Sequence, residues 1–383
     1  MVNLSAQMST YARNLPTGVK MSEYPLTKID LTKIDGIQRD IPLFKGVRIE
    51  DIAFITKRLE TLNLFRGCKC GCSHCLKDAI APKFGRESIL FEDLKRFVSG
   101  FKKLSERMGF DVLNGNKYIN IIDDSNPIDI PVRGLKKTHG VDEAMKLIYD
   151  TLRIPTLFVT SGLPTERTQN IRYANKMAAN IVDMVKKNPD SVEEVQISIN
   201  PFLKKEDYSF RMARTLFAFL DLFNMGKARI IYRHAQDGYK GYDAKAAKDI
   251  YTEIYNLLKL HSHSKLEGIP QLKPEVVTEF DKSHLIEPSG RGRRFFSKEQ
   301  NYKLQQELIQ DSLDWADMSK EEQREVLLNN SLKCVDIDGR IYTTKPSNAE
   351  SVNTPIEITI PTDIKLNYIN KEKPNKIFSD VEV

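Results

Sequence analysis

Long apolar runs are missing from this sequence. No stretch approaches the roughly 20 apolar residues that a helix needs to cross a bilayer, although 40% of the 383 residues are hydrophobic, which is enough for a sizeable core. Residues 1–20 also lack the basic and then apolar pattern that is typical of a signal peptide. These absences predict a cytoplasmic protein with no membrane partner.

Neither sign of charge dominates the chain. Its 58 Lys and Arg residues exceed its 52 Asp and Glu residues only slightly, and the formal net charge is +6. A charge this small for the length does not require a nucleic-acid partner. The length suits one large domain with appendages, or two domains. Neither length nor charge indicates a function, and only local motifs do.

Cysteine is scarce and unevenly distributed. Four of the five cysteines fall within residues 68–75, and the fifth is Cys334. Their neighbours are Lys, Gly, Ser and His rather than the apolar residues that surround a structural buried cysteine, so this segment is suited to presenting thiolates to a metal. Gly67 and Gly71 allow the backbone to curl around such a group with positive φ.

Three kinds of site are open to these cysteines. Cys68, Cys72 and Cys75 have the spacing C-x3-C-x2-C, and three thiolates can hold three irons of a [4Fe-4S] cluster, which leaves the fourth iron open. A structural zinc site usually takes four ligands in two separated pairs, and the sequence has no second pair. A disulfide cluster requires an oxidising compartment, which nothing in the sequence indicates. Cys70 is either an alternative ligand or an idle thiol.

This spacing, just after a strand predicted over 59–65, resembles that of the radical S-adenosylmethionine (radical SAM) superfamily. The resemblance implies that the open iron chelates the amino and carboxylate groups of SAM. It implies that an electron from the cluster cleaves SAM to a 5′-deoxyadenosyl radical, which abstracts hydrogen from a substrate. An electron donor such as flavodoxin or ferredoxin is implied as well. Because only Cys70 and Cys334 remain, one cluster is expected.

Strands and helices alternate from residue 51 onward. Apolar residues alternate with polar ones at 61–64, as in a strand, and recur at threes and fours over 88–108, as in an amphipathic helix that Ser88 is expected to cap. Further strands are predicted over 117–122, 156–160, 192–199, 228–232, 276–280 and 284–287, and helices over 140–153, 164–187, 205–225 and 242–260. Such alternation predicts an α/β fold with a parallel sheet.

The predicted elements divide the chain into three parts. Residues 1–50 are an N-terminal extension, and 51–296 form the α/β domain, for which the resemblance implies a partial (β/α)6 barrel of the TIM type. Residues 297–383 form a small α+β extension with two polar helices and a β-hairpin over 333–342. This extension is similar to the SPASM or twitch type of peptide-modifying radical SAM enzymes, but Thr343 and Thr344 stand where a second cysteine would follow.

Polar residues at successive strand ends are the candidate SAM contacts. Barrel-type α/β folds place their chemistry on loops after the carboxyl ends of strands, where the cysteine segment also lies. By the same resemblance, Asp124 is expected to pair with the ammonium group of SAM. Turn formation and capping explain such residues equally well and stay open. The candidates are Asp124, Ser125, Asn126, Ser161 (followed by Gly162), Ser198 and Asn200.

The substrate is indicated only by a late turn. Residues 287–292 (Glu-Pro-Ser-Gly-Arg-Gly) resemble a turn of peptide-modifying radical SAM enzymes, so a peptide or protein substrate is expected. Arg291, Arg293 and Arg294 suit a carboxylate or phosphate partner, although a solvated basic turn has the same composition. The alternative from another class is a non-catalytic iron–sulfur or zinc protein that uses the same cysteines for sensing or structure.

Overall fold

A computed structural model of the chain describes residues 36–41, 43, 59–67, 87–108, 118–121, 126–163, 171–199, 207–232, 244–261, 333–335, 340–343 and 354–359. The predicted strands over 276–287, the arginine-containing turn that follows them and the two polar helices of the C-terminal extension lie outside these residues. Within the described ranges the chain forms ten strands and seven α-helices.

The boundaries of these elements follow the sequence pattern closely. The predicted strands over 156–160, 192–199 and 228–232 are confirmed to the residue, and the helices over 88–108, 140–153 and 242–260 are confirmed to within three residues at either end. The strands are β1 (Leu59–Leu62), β2 (Phe65–Arg66), β3 (Glu87–Ser88), β4 (Ile119–Asn120), β5 (Thr156–Thr160), β6 (Val192–Ile199), β7 (Ala228–Tyr232), β8 (Lys333–Val335), β9 (Arg340–Thr343) and β10 (Thr354–Thr359). The helices are α1 (Ile37–Asp40), α2 (Phe91–Met108), α3 (Val141–Leu152), α4 (Ile171–Lys187), α5 (Tyr208–Ala218), α6 (Leu220–Asn224) and α7 (Ala244–His261).

Eight of the described strands form one sheet, in the order β10-β9-β8-β1-β4-β5-β6-β7. From β1 to β7 the neighbours pair in parallel, and their order in the sheet is their order in the chain. A helix lies between each of these strands and the next, as parallel pairing requires of a crossover connection. The predicted α/β fold with a parallel sheet is therefore confirmed.

The C-terminal hairpin belongs to the same sheet. β8 and β9 pair antiparallel, which confirms the hairpin predicted over 333–342, and β10 pairs antiparallel with β9. β8 also pairs in parallel with β1, so that Cys334 lies beside Thr61 in the ladder. No local pattern predicts this junction, because the two strands are far apart in the sequence.

Two local predictions were wrong. Ser88 does not cap a helix: it lies in β3, its hydroxyl accepts a 2.9 Å hydrogen bond from the main-chain N–H of Arg133, and α2 begins only at Phe91. The helix predicted over 205–225 is divided into α5 and α6 at Phe219. Phe219 is fully buried, so the break places a large aromatic side chain in the core.

The core lies between the sheet and its helices. All residues of β6 from Val195 to Ile199 are buried, so protein covers both faces of this strand, as is usual in parallel sheets. The largest fully buried side chains include Phe97, Phe101 and Phe158. With both faces covered, a ligand can approach the strands only at their ends. None of the helices among the described residues is long and apolar enough to cross a membrane.

Candidate functional site

The segment that carries the clustered cysteines departs from a defined place in the sheet. β2 ends at Arg66 and β3 begins at Glu87, and the two strands pair antiparallel directly after β1. The two ends of the intervening segment are therefore held side by side at the carboxyl end of the first parallel strand. Several predicted site residues lie outside the described ranges, namely Cys68, Cys72, Cys75, Asp124, Ser125 and Asn200.

The base of this segment is tied to the neighbouring strand end. Leu64 is fully buried, and its N–H donates to the carbonyl of Ile121, just after β4, at 3.1 Å. The N–H of Ile89 in turn donates to the carbonyl of Leu64 at 2.9 Å. The point from which the cysteine segment leaves the sheet is thus fixed by main-chain bonds to the second parallel strand.

A buried polar network joins the ends of β4 and β5. The hydroxyl of Thr160 donates to Asn126 Oδ1 at 2.7 Å, and Asn126 Nδ2 donates to the carbonyl of Gly162 at 3.1 Å. The N–H of Gly162 completes the ring by donating to the Thr160 hydroxyl at 3.2 Å. All three residues are buried. The side-chain amide of Asn126, one of the predicted SAM contacts, therefore bonds to the turn after β5 on both of its polar atoms.

Helix α5 holds the same turn from the other side. Arg211 is only 6% exposed, and its Nη2 donates to the carbonyls of Ser161 and Gly162, both at 3.1 Å. The N–H of Leu163 donates to the hydroxyl of Thr215 at 2.8 Å. Neither Arg211 nor Thr215 was predicted as a site residue. Both lie on the apolar face of an amphipathic helix, where a polar residue interrupting the pattern was the available signal.

Three of the predicted SAM contacts lie at the same edge of the sheet. Ser161 follows β5 and is half-buried, while the other residues of the turn over 160–163 are buried. Ile197 of β6 pairs with Thr160, so Ser198 lies one residue beyond the end of β5 in the ladder. Ser198 is buried. Asn126, Ser161 and Ser198 thus follow or end three neighbouring parallel strands.

The loop after β4 contains a second polar cluster. The ring of His139 stacks on that of Phe91 with centroids 3.8 Å apart, and its Nδ1 lies 2.8 Å from Glu143 Oε2. Burial opposes the charge of Glu143, but the hydrogen bond and charge of His139 outweigh it, so the pKa of Glu143 lies below its ordinary value. Burial raises the pKa of Asp142 and that of Tyr173. The cluster ties the first residue of α2 to the first turn of α3.

In the parts of the chain that the structure describes, no three His, Cys, Asp or Glu side chains come together as a metal site. The four clustered cysteines lie outside those parts. No protein-family model matches the chain, and no curated protein is similar enough to match it. The chemistry of the site is therefore indicated by the sequence motif and by the geometry of the strand ends.

Replacing Gly162 by alanine is expected to destabilise the protein by about 2 kcal/mol, because a non-glycine residue at strongly positive φ is strained. Gly162 has φ 100°. A Cβ added there would lie 3.0 Å from both Met212 Sδ and Thr215 Oγ1, so the substitution also presses on the buried network. Urea denaturation of the two proteins measures the difference.

Gly226 provides the matched control for this substitution. It has φ 67°, and no atom among the described residues lies within 4 Å of a Cβ added there. Gly226→Ala should therefore carry the backbone strain without the crowding, and should cost less stability than Gly162→Ala. Equal losses in the two variants would contradict the claim that the turn after β5 is tightly packed.

Proposed function

We propose that this chain is a radical SAM enzyme, which binds a [4Fe-4S] cluster through Cys68, Cys72 and Cys75 and S-adenosylmethionine at the iron left open. The observation that carries the proposal is the C-x3-C-x2-C spacing, on a segment whose ends are paired directly after the first parallel strand. Thiolates are the usual protein ligands of iron–sulfur clusters, so the donor set fits the group. When bound, the cluster would pass one electron from the electron donor to SAM, whose cleavage to methionine and a 5′-deoxyadenosyl radical would allow hydrogen abstraction from the substrate.

The parallel sheet supports a partial (β/α)6 barrel as the scaffold. Five parallel strands with helical crossovers are described, and the sequence predicts the last strand material over 276–280 and 284–287. Barrel enzymes carry their chemistry on the loops at the carboxyl ends of the strands. The cysteine segment, Asn126, Ser161 and Ser198 follow or end four successive strands, so in such a barrel they share one rim.

In this proposal the chain's own residues bind and orient SAM at that rim. Asp124 accepts from the ammonium group, and Ser125, Ser161, Ser198 and Asn200 offer further hydrogen bonds. Asn126 is a further proposed contact, through its backbone or side chain, and its amide also bonds to the turn after β5. A peptide or protein substrate, a flavodoxin or ferredoxin as electron donor, and a cytoplasmic location belong to the same proposal.

Anaerobic reconstitution, followed by addition of SAM and dithionite, tests this function. We expect about four irons per chain, as in one [4Fe-4S] cluster, and release of 5′-deoxyadenosine detected by liquid chromatography. Protein without the cluster is the control and should release none. An intact cluster that neither binds nor cleaves SAM would favour an iron–sulfur sensor instead. Zinc in place of iron, after anaerobic purification from iron-replete cells, would favour a structural site.

A further inference from the structure

The turn over 160–163, which we call the β5 turn, has four of its main-chain polar groups bound by side chains. Its two central carbonyls accept from Arg211, and one of them also accepts from Asn126. Two of its N–H groups donate to threonine hydroxyls, one within the turn and the other on Thr215. The conformation of the β5 turn is therefore set by side chains from outside as much as by its own sequence.

These side chains come from three successive parts of the fold. Asn126 follows β4, the turn itself follows β5, and Arg211 and Thr215 lie on α5, which follows β6. A single connected network thus joins segments that follow three neighbouring strands. Because an unbonded polar group is costly when buried, each member of such a network restricts the others to one arrangement.

Arg211 places a charged group in the interior of the protein. Its guanidinium is buried, and burying a charge costs free energy unless hydrogen bonds compensate it. Arginine offers several N–H donors in a rigid planar arrangement, which suits two adjacent carbonyl oxygens. The two 3.1 Å bonds of Nη2 to the β5 turn are such an arrangement. The hydrogen bonds from this buried charge stabilise one conformation of the turn.

Ser161 is the most accessible residue of the β5 turn. It is half-buried, while the other three residues of the β5 turn are buried. We propose that Arg211 and Thr215 are positioning residues for SAM, which hold the β5 turn so that Ser161 is presented to a polar group of the ligand. This inference rests on the function proposed above. Neither residue touches SAM; both act through the turn.

Substitutions of Thr215 can test the role of a single hydrogen bond to the β5 turn. The hydroxyl of Thr215 is fully buried, accepts from the N–H of Leu163 and donates to the carbonyl of Arg211, each at 2.8 Å. Thr215→Val keeps the shape of the side chain and removes the hydroxyl, so the N–H of Leu163 loses its acceptor. Thr215→Ser keeps the hydroxyl and removes a methyl group. A difference between these variants therefore reports on the hydrogen bond.

The experiment measures hydrogen exchange and SAM affinity on cluster-loaded protein without reductant. In Thr215→Val we expect faster exchange in the peptide that contains the β5 turn, and SAM binding weakened about tenfold, the equivalent of roughly 1.4 kcal/mol. Iron content should match that of the wild type. Thr215→Ser should stay near the wild type in both readouts.

Arg211→Lys is the second variant. If Thr215→Val does not fold, hydrogen exchange and SAM affinity are compared between Arg211→Lys and the wild type instead. This substitution keeps the charge and changes the donor geometry, so it should also speed exchange in the β5 turn and weaken SAM binding. Arg214→Lys is its matched control. Arg214 lies on the same helix and bonds to Asn175 Oδ1 at 2.7 Å, away from the turn, so both readouts should remain at wild-type values.

Three results would overturn the positioning role. Faster exchange with unchanged SAM affinity would show that the turn does not serve the ligand, and weaker binding without faster exchange would show that the residues do not act through the turn. No change in either hydrogen exchange or SAM affinity would show that these residues neither hold the β5 turn nor affect SAM binding. Failure of the cluster-loaded wild type to bind SAM has a different meaning, because it contradicts the proposed function itself and is seen before any variant is compared.

Discussion

Alanine at Cys68, Cys72 or Cys75 is expected to abolish both iron binding and the release of 5′-deoxyadenosine. Each of these cysteines supplies one of only three thiolates in the proposed ligand set, and the fourth iron is reserved for SAM. Removing any one leaves two thiolates, so no protein ligand can take its place without changing the spacing. Iron and sulfide per chain, and nucleoside released after reconstitution, measure the loss.

Cys70 and Cys334 provide the matched controls. Cys70 lies inside the same segment but outside the C-x3-C-x2-C spacing, and Cys334 lies in β8 beside Thr61 of β1. Alanine at either position should leave iron content and nucleoside release close to the wild-type values. Wild-type values in any of the three ligand variants would refute the proposed cluster. Loss in Cys70→Ala, together with retention in one of the three, would instead assign Cys70 to the ligand set.

Phe158→Ala is expected to lower the free energy of unfolding by about 3–5 kcal/mol, the usual cost of removing a buried phenyl ring. Phe158 is fully buried in the central strand β5, which is paired on both sides, with β4 and with β6. A rigid sheet cannot close the resulting cavity, so the cost includes both the lost burial and the empty volume. Chemical denaturation of wild type and variant measures the difference.

Val159→Ala is the control on the same strand. Val159 is adjacent to Phe158 but projects from the opposite face of the sheet, and it is only half-buried. Its truncation removes less buried apolar surface, so a loss of about 1 kcal/mol is expected. If both variants lost the same amount, the assignment of Phe158 to the centre of the core would be wrong. If Phe158→Ala does not fold, Phe158→Leu should show a smaller loss in the same direction.

Three strands are observed with the limits that the sequence predicts. β5 and β7 are short, largely apolar segments, whereas β6 mixes apolar residues with Glu, Gln and Ser. Ser88 is a favourable residue for a helix cap, but it lies in β3 and pairs with Phe65 of β2. A tertiary contact here overrides a local preference, and the sequence around Ser88 contains no sign of it.

The residues of the candidate site also differ in whether the sequence alone could predict them. The cysteine spacing and the polar residues after successive strands are local features, so they could be recognised without any structure. For Arg211 the only signal was a polar residue on the apolar face of a helix, and its burial against the β5 turn is seen only in the structure. Asn126 is predicted to contact SAM through its backbone or side chain, and the structure adds that its amide bonds to the turn after β5.

The sequence by itself determined the alternation of strands and helices, the parallel sheet that follows from it, and the grouping of four cysteines after the first strand. Each depends on the spacing of residues close together in the chain. Only the tertiary structure decided that the C-terminal hairpin joins β1, that β2 and β3 hold the two ends of the cysteine segment together, and that a buried arginine fixes the turn after β5. These contacts join residues far apart in the chain, and hydrogen bonds between buried polar groups, such as those from Arg211 to the turn after β5, stabilise them.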